Sequence, residues 1–173
     1  MDLLVASPPC TGHSVARGGK PVSDQSRSSA WDVIRWTEIT EPRVVIIENV
    51  REWQNWGPLA LNGRPLKSRQ GETFHAWLSA LRSLGYQTSY RLLNAADYGD
   101  ATTRQRLFVV AWRGRTPFCW PDPTHSRSPD QDLYGCLKPW RSAREIIDWT
   151  IKGKSIFGRK KPLADNTMRR IWA

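Results

Sequence analysis

A continuous apolar run, Leu3, Leu4, Val5 and Ala6, stops abruptly at Pro8 and Pro9. Four apolar residues without alternation suit a strand buried on both faces. Two prolines cannot extend its ladder, so the chain must leave the sheet there. Cys10 follows directly, with Thr11, Gly12, His13 and Ser14 behind it. The reading places Cys10 on a rigid loop at the carboxyl end of a buried strand, where open α/β sheets bind their ligands.

The rest of the chain extends this pattern. Residues 11–29 lack apolar periodicity and read as a long loop, a length that is usually functional or disordered. Val33, Ile34 and Thr37 suit a helix over 30–41, ended by Pro42. RVVIIENV, residues 43–50, reads as a second buried strand whose apolar run breaks on Glu48 and Asn49. A polar loop bearing tryptophans is expected over 51–71. Phe74, Trp77, Leu78, Leu81 and Leu84 then recur at helical spacing, with Gly85 as the stop. TSYRLLNAADYG and RLFVVAW read as two further strands, and a short helix is expected over Ala143–Thr150 before a basic tail. Strand, helix, strand, helix, strand predicts an α/β sheet of mixed direction. Consecutive parallel strands usually lie close, so Cys10 and Glu48 could face one cleft.

Charge and cysteine usage narrow the partners. With 26 Lys and Arg against 16 Asp and Glu, the net charge of +10 favours polyanions, nucleic acid first. Three cysteines, Cys10, Cys119 and Cys136, make no disulfide framework and point to a reducing compartment. No run of residues approaches a membrane span or a signal peptide, so the expectation is a soluble, cytoplasmic protein.

A thiol near a carboxylic acid suits nucleophilic addition to an electron-poor ring, the acid protonating a ring nitrogen. Cys10 has the alternative of a small buried hydrophobe. Glu48, inside an apolar run, must be paired or functional. Cys10 and His13 have ligand-like spacing, but no second pair completes a zinc site, and no metal is expected. Arg17 lies one position too far from Cys10 for a phosphatase signature, and no GxSxG or GxGxxG occurs. His75 is expected on the polar face of its helix, and His125 in a loop.

SPPCTGHS, IIENV and TTRQRLF, in this order, resemble motifs IV, VI and VIII of the cytosine-5 DNA methyltransferases of bacteria and phages. The resemblance implies a Rossmann-like α/β fold that uses S-adenosylmethionine, here only the second half of its sheet. The last two strands would form an antiparallel pair. It implies that a cytosine rotated out of duplex DNA is attacked at C6 by the Cys10 thiolate while Glu48 protonates N3. Arg104 and Arg106 match the two motif VIII arginines that hold the base and a neighbouring phosphate; the alternative is a surface basic pair. Thr11, His13, Ser14 and Arg17 become DNA-binding candidates, and Pro9 a contact for the cofactor.

The chain also departs from the family. Thr102 stands where Gln is usual, and Thr11-Gly12-His13 where Gln followed by Phe or Tyr is usual, which touches DNA contacts more than chemistry. The glycine-rich motif I and the acidic residues that hold the cofactor would precede the first strand, where only Met1 and Asp2 stand. KPLADNTMRRIW resembles the lead-in to a target-recognition region. The expectation is therefore a partial catalytic core over 1–113, and a Pro-rich, basic segment over 114–173 leading towards that region. Such a chain is the catalytic middle of an enzyme, one chain of a split enzyme, or a basic DNA-binding remnant. A thiol hydrolase ranks last, because only His13 could serve Cys10 as a base.

Overall fold

The structure, a computed structural model, describes residues 1–9, 28–129, 135–153, 155–157 and 160–172. Cys10 and the whole segment 11–27 lie outside the described residues. The chain divides into two compact units, Met1–Arg141 and Ser142–Ala173.

The first unit is built on a four-stranded sheet of β1 (Leu3–Ala6), β2 (Val44–Asn49), β3 (Gln87–Asn94) and β4 (Gln105–Trp112), in the order β1-β2-β4-β3. β1 runs parallel to β2, with Ala6 opposite Ile47. β4 is antiparallel to both of its neighbours, β2 and β3. All four expected strands are present, and the last two pair antiparallel. β3 closes at Asn94, the end expected for a strand over residues 88–94. The Asn94 side chain accepts from the Ala96 N–H and caps a 3-10 turn over Ala95–Tyr98.

Two helices, α1 (Ser29–Thr40) and α2 (Glu72–Ser83), pack on one face of the sheet. α1 buries Ala30, Val33 and Thr37, one stripe at helical spacing. It closes on Glu41, whose backbone is left-handed (φ 42°) and donates to the Thr37 carbonyl, one residue before Pro42. α2 buries Phe74, Trp77, Leu78 and Leu81 and stops at Gly85 (φ 87°). The core joins these side chains to Val45, Ile47, Leu107, Val109 and Ala111 of the sheet.

Residues 51–71 are not the polar loop that was expected. Trp53 and Trp56 are buried, three positions apart across a 3-10 turn over Arg51–Asn55. Trp53 stacks on Trp56 at 6.1 Å and meets Trp77 edge-on at 4.9 Å. The opposite face of the sheet is covered over β3 and β4 by the segment after Arg113. Phe118 packs on Trp112 and Trp120, and the Trp120 indole donates to Ser89 Oγ at 3.0 Å. Over β1 that face is open: Leu3 and Val5 are 49% and 65% exposed, and β1 pairs on one side only among the described residues.

A two-residue pairing of β5 (His125–Ser126) with β6 (Lys138–Pro139) lies beside the 3-10 turn at Ala95–Tyr98. His125, expected in a loop, sits in this ladder and packs against Gly99, where an added Cβ would stand 2.9 Å from its ring.

In the second unit the helix expected over 143–150 shrinks to a 3-10 turn over Ala143–Glu145. Asp148 explains the stop: its carboxylate takes the Thr150 N–H and hydroxyl, a local bond that competes with helix continuation. The basic tail holds a helix that the sequence reading did not include, α3 (Asp165–Trp172). No helix among the described residues is long and apolar enough to cross a membrane.

Candidate active site

The carboxyl ends of β1 and β2 and the start of β4 meet at one edge of the sheet. Because side chains alternate along a strand, Glu48 and Asn49 point to opposite faces. Glu48 sits opposite Phe108, so Phe108 and Arg106 share its face, away from α1 and α2. There Arg106 Nε stands 2.8 Å from Glu48 Oε1. Both side chains are partly covered, 24% and 32% exposed, so the ion pair is only partly screened by solvent. Arg106 also donates through Nη1 to the Gln105 carbonyl at 2.8 Å, which fixes its guanidinium across the carboxylate.

Beside this pair opens a cleft of about 310 Å³ lined by Leu93, Ala95, Tyr98, Asp100, Arg104, Arg106, Phe108 and Pro121. Its walls are largely apolar, and its charged groups are two guanidiniums and one carboxylate. Arg104 is exposed at the mouth, and its carbonyl accepts from the Ala95 N–H at 3.0 Å. Tyr98 closes one side by donating to the Pro121 carbonyl at 3.2 Å. A flat ring with polar edges fits such walls and cations.

Asn49, on the other face, is a residue that sequence reasoning missed. It is buried, donates through Nδ2 to the Pro8 carbonyl at 3.1 Å, and accepts from the Val50 N–H at 2.8 Å. This contact locks the end of β1 to the end of β2, two residues before Cys10. The signal was present as an amide inside VVIIENV, where a buried polar group must find partners. Asn49→Ala leaves the Pro8 carbonyl and the Val50 N–H without those partners, and is expected to cost about 1–3 kcal/mol. Urea unfolding monitored by tryptophan fluorescence measures it.

The structure thus brings together Glu48 and Arg106, with Arg104 on the same cleft. Cys10, Thr11, His13, Ser14 and Arg17 lie outside the described residues. Pro9, the candidate cofactor contact, is exposed just beyond β1 and has no N–H to donate. Neither the cleft beside Glu48 nor the one at the opposite edge is walled by a glycine-rich turn of the kind that holds S-adenosylmethionine. Cys119 and Cys136 are exposed, and Cys119 lies in the segment crossing β3 and β4.

Comparison with known proteins places this geometry. The profile of the C-5 cytosine-specific DNA methylase family matches residues 1–156. The type II methyltransferase M.AquIA of Picosynechococcus sp. is 30% identical over 151 residues, covering 85% of this chain and 59% of that protein. The type II methyltransferase M.HgiBI of Herpetosiphon aurantiacus is 32% identical over 171 residues, covering 96% of this chain and 36% of that protein. The chain thus spans little more than half the length of M.AquIA, and less of M.HgiBI. Among solved structures, the Entamoeba histolytica methyltransferase EhMeth superposes with a TM-score of 0.50 at 18% identity, over 87% of this chain and 40% of that one. The likeness to EhMeth shows the fold, a Rossmann-like methyltransferase sheet present in part. With the profile running from the first strand through the Glu48 and Arg106 edge, the chain belongs to the C-5 cytosine-specific DNA methylase family.

Proposed function

We propose that this chain carries the base-handling part of a DNA cytosine-C5 methyltransferase, with Cys10 as nucleophile and Glu48 as proton donor. The ion pair between Glu48 and Arg106, at the strand end next to the one leading to Cys10, carries the reading. A cytosine turned out of the duplex enters beside Glu48. The Cys10 thiolate adds to C6, forming the C–S bond, while Glu48, which takes up a proton from solvent as the base binds, gives that proton to N3. The displaced ring electrons then make C5 nucleophilic. Arg106 orients the carboxyl through Oε1, and Arg104 at the cleft mouth meets the base or a neighbouring phosphate. After transfer, loss of the C5 proton to solvent, departure of the thiolate and return of the N3 proton to Glu48 restore the neutral aromatic ring. S-adenosylmethionine would supply the methyl group, held mainly by residues other than those described. Thr11, His13, Ser14 and Arg17 face the DNA in this reading, and Pro9 lies against the methyl donor.

The open side of β1 favours a companion to this reading, in which further polypeptide, in the same chain or a second one, covers Leu3 and Val5 and completes the sheet.

Trapping tests the chemistry. A duplex pool with 5-fluorocytosine at every cytosine, offered with S-adenosylmethionine to the natural protein containing these residues, is expected to leave a covalent adduct on the peptide holding Cys10. The C5 fluorine cannot leave as a proton does. An adduct on Cys119 or Cys136 instead, or none, defeats the proposal.

A further inference from the structure

Between Trp56 and the start of α2 the chain throws out a short hairpin. Leu59 and Pro65 bridge antiparallel, and the Ala60 N–H donates to the Arg64 carbonyl at 2.8 Å. The Gly63 N–H returns to the Ala60 carbonyl at 2.9 Å, and Asn62 Oδ1 takes the Arg64 N–H at 3.0 Å. The turn Leu61-Asn62-Gly63 is the tip, with Gly63 at φ 71°.

The base of this finger is held firmly. Gly57 lies so close to the Arg69 carbonyl that an added Cβ would overlap it. The Leu66 N–H donates to the Pro58 carbonyl at 3.1 Å, and the Phe74 N–H to the Trp56 carbonyl at 3.0 Å. The finger therefore stands on the buried tryptophan cluster rather than on a loose loop.

Its tip is unusual in composition. Leu61 is fully exposed, with nothing to pack against. Arg64 directly follows the turn and Lys67 stands at the foot of the hairpin; neither forms an ion pair among the described residues. Arg69, by contrast, is taken by Glu72 through two hydrogen bonds of 2.6 Å. Placement supplies the partner. The segment begins at Arg51, three residues after Glu48, at the end of β2 that carries the Glu48–Arg106 pair, and the finger follows from the helix side of that end. Arg51 itself reaches Gln105, at the start of β4, at 3.5 Å.

We infer that this finger is a DNA contact beside the target base: Arg64 and Lys67 take phosphates, and Leu61 lies against sugar and base edges in a groove. The inference rests on the methyltransferase reading and adds a contact surface to it. A rigid stalk with an apolar tip and two cations on its returning limb matches the way groove-binding proteins combine phosphate contacts with an apolar probe. No enzymatic step depends on it.

Anisotropy titrations of the full 173-residue chain with a labelled duplex, at several salt concentrations, test it. Arg64→Ser with Lys67→Ser is expected to flatten the slope of log affinity against log salt by about 1.8, two phosphate contacts at about 0.9 each. Leu61→Ala is expected to weaken binding roughly tenfold at every salt, with the slope kept. Arg43→Ser with Arg82→Ser, the same charge change at the opposite sheet edge, is the control and should leave the slope nearly unchanged. All these side chains are exposed, and circular dichroism verifies that the fold is kept. An unaltered slope in the finger variant, or an equal change in the control, overturns the finger while leaving the methyltransferase reading intact. Failure of the unsubstituted chain to bind DNA also overturns the finger, while the methyltransferase reading stands or falls on the trapping experiment with the natural protein. Altered self-association without altered DNA binding assigns the tip to a protein partner and also overturns the inference.

Discussion

Glu48→Gln is expected to slow DNA cytosine methylation by about two to four orders of magnitude, the range for losing a positioned general acid. The amide keeps the size of the side chain and can still donate a hydrogen bond to N3, so cytosine binding should change little. What disappears, in the proposed mechanism, is the proton that N3 receives as sulfur adds to C6. The substitution also removes the anion that Arg106 Nε meets at 2.8 Å, freeing a guanidinium now aimed across the site. The loss should therefore appear in kcat, with KM for DNA nearly unchanged, in single-turnover assays of the natural protein. A kcat within fivefold of the unsubstituted enzyme would remove Glu48 from the chemistry.

Trp77→Ala is expected to cost about 3–5 kcal/mol of folding stability, a large part of what a domain of this size has. Trp77 is fully buried, meets Trp53 edge-on, and sends its indole N–H to the Ala30 carbonyl at 2.9 Å. It therefore joins α2 both to α1 and to the tryptophan turn that follows Glu48. Removing it leaves a cavity and strips the first turn of α1 of a partner. The urea midpoint should fall accordingly, and a change below 1 kcal/mol would mean that the core is not packed around this ring.

How much of this was legible in the sequence depended on the kind of signal. β1 and β2 were readable because VVII and LLVA are unbroken apolar runs with hard stops, and α2 because Phe74, Trp77, Leu78 and Leu81 fall on one stripe. The antiparallel pairing of β3 with β4 is not written in periodicity and came from the family resemblance. Trp53 and Trp56 were misplaced because Arg51, Glu52, Gln54 and Asn55 surround them, and a 3-10 turn is too short to show a period. α3 was passed over as a basic tail, although Asp165 stands in its first turn and Arg169 and Arg170 in its last, the arrangement that suits a helix dipole. Glu48 announced itself as a charge in an apolar run. The partnership of Glu48 with Arg106 did not, because it depends on which residues a ladder sets side by side 58 positions apart along the chain. Asn49 was hidden by its neighbour, since both interrupt the same run.

The placing of Glu48 and Asn49 on consecutive positions makes the site unforgiving of register. A one-residue slip of β2 would turn every side chain over, sending the amide into the cleft and the carboxylate under the helices. The Pro8 carbonyl would then face an acid instead of an amide N–H, and Arg106 would lose its anion. A single-residue deletion between Arg43 and Glu48 therefore disables both faces at once, whereas two residues removed would keep the parity and only shorten the strand.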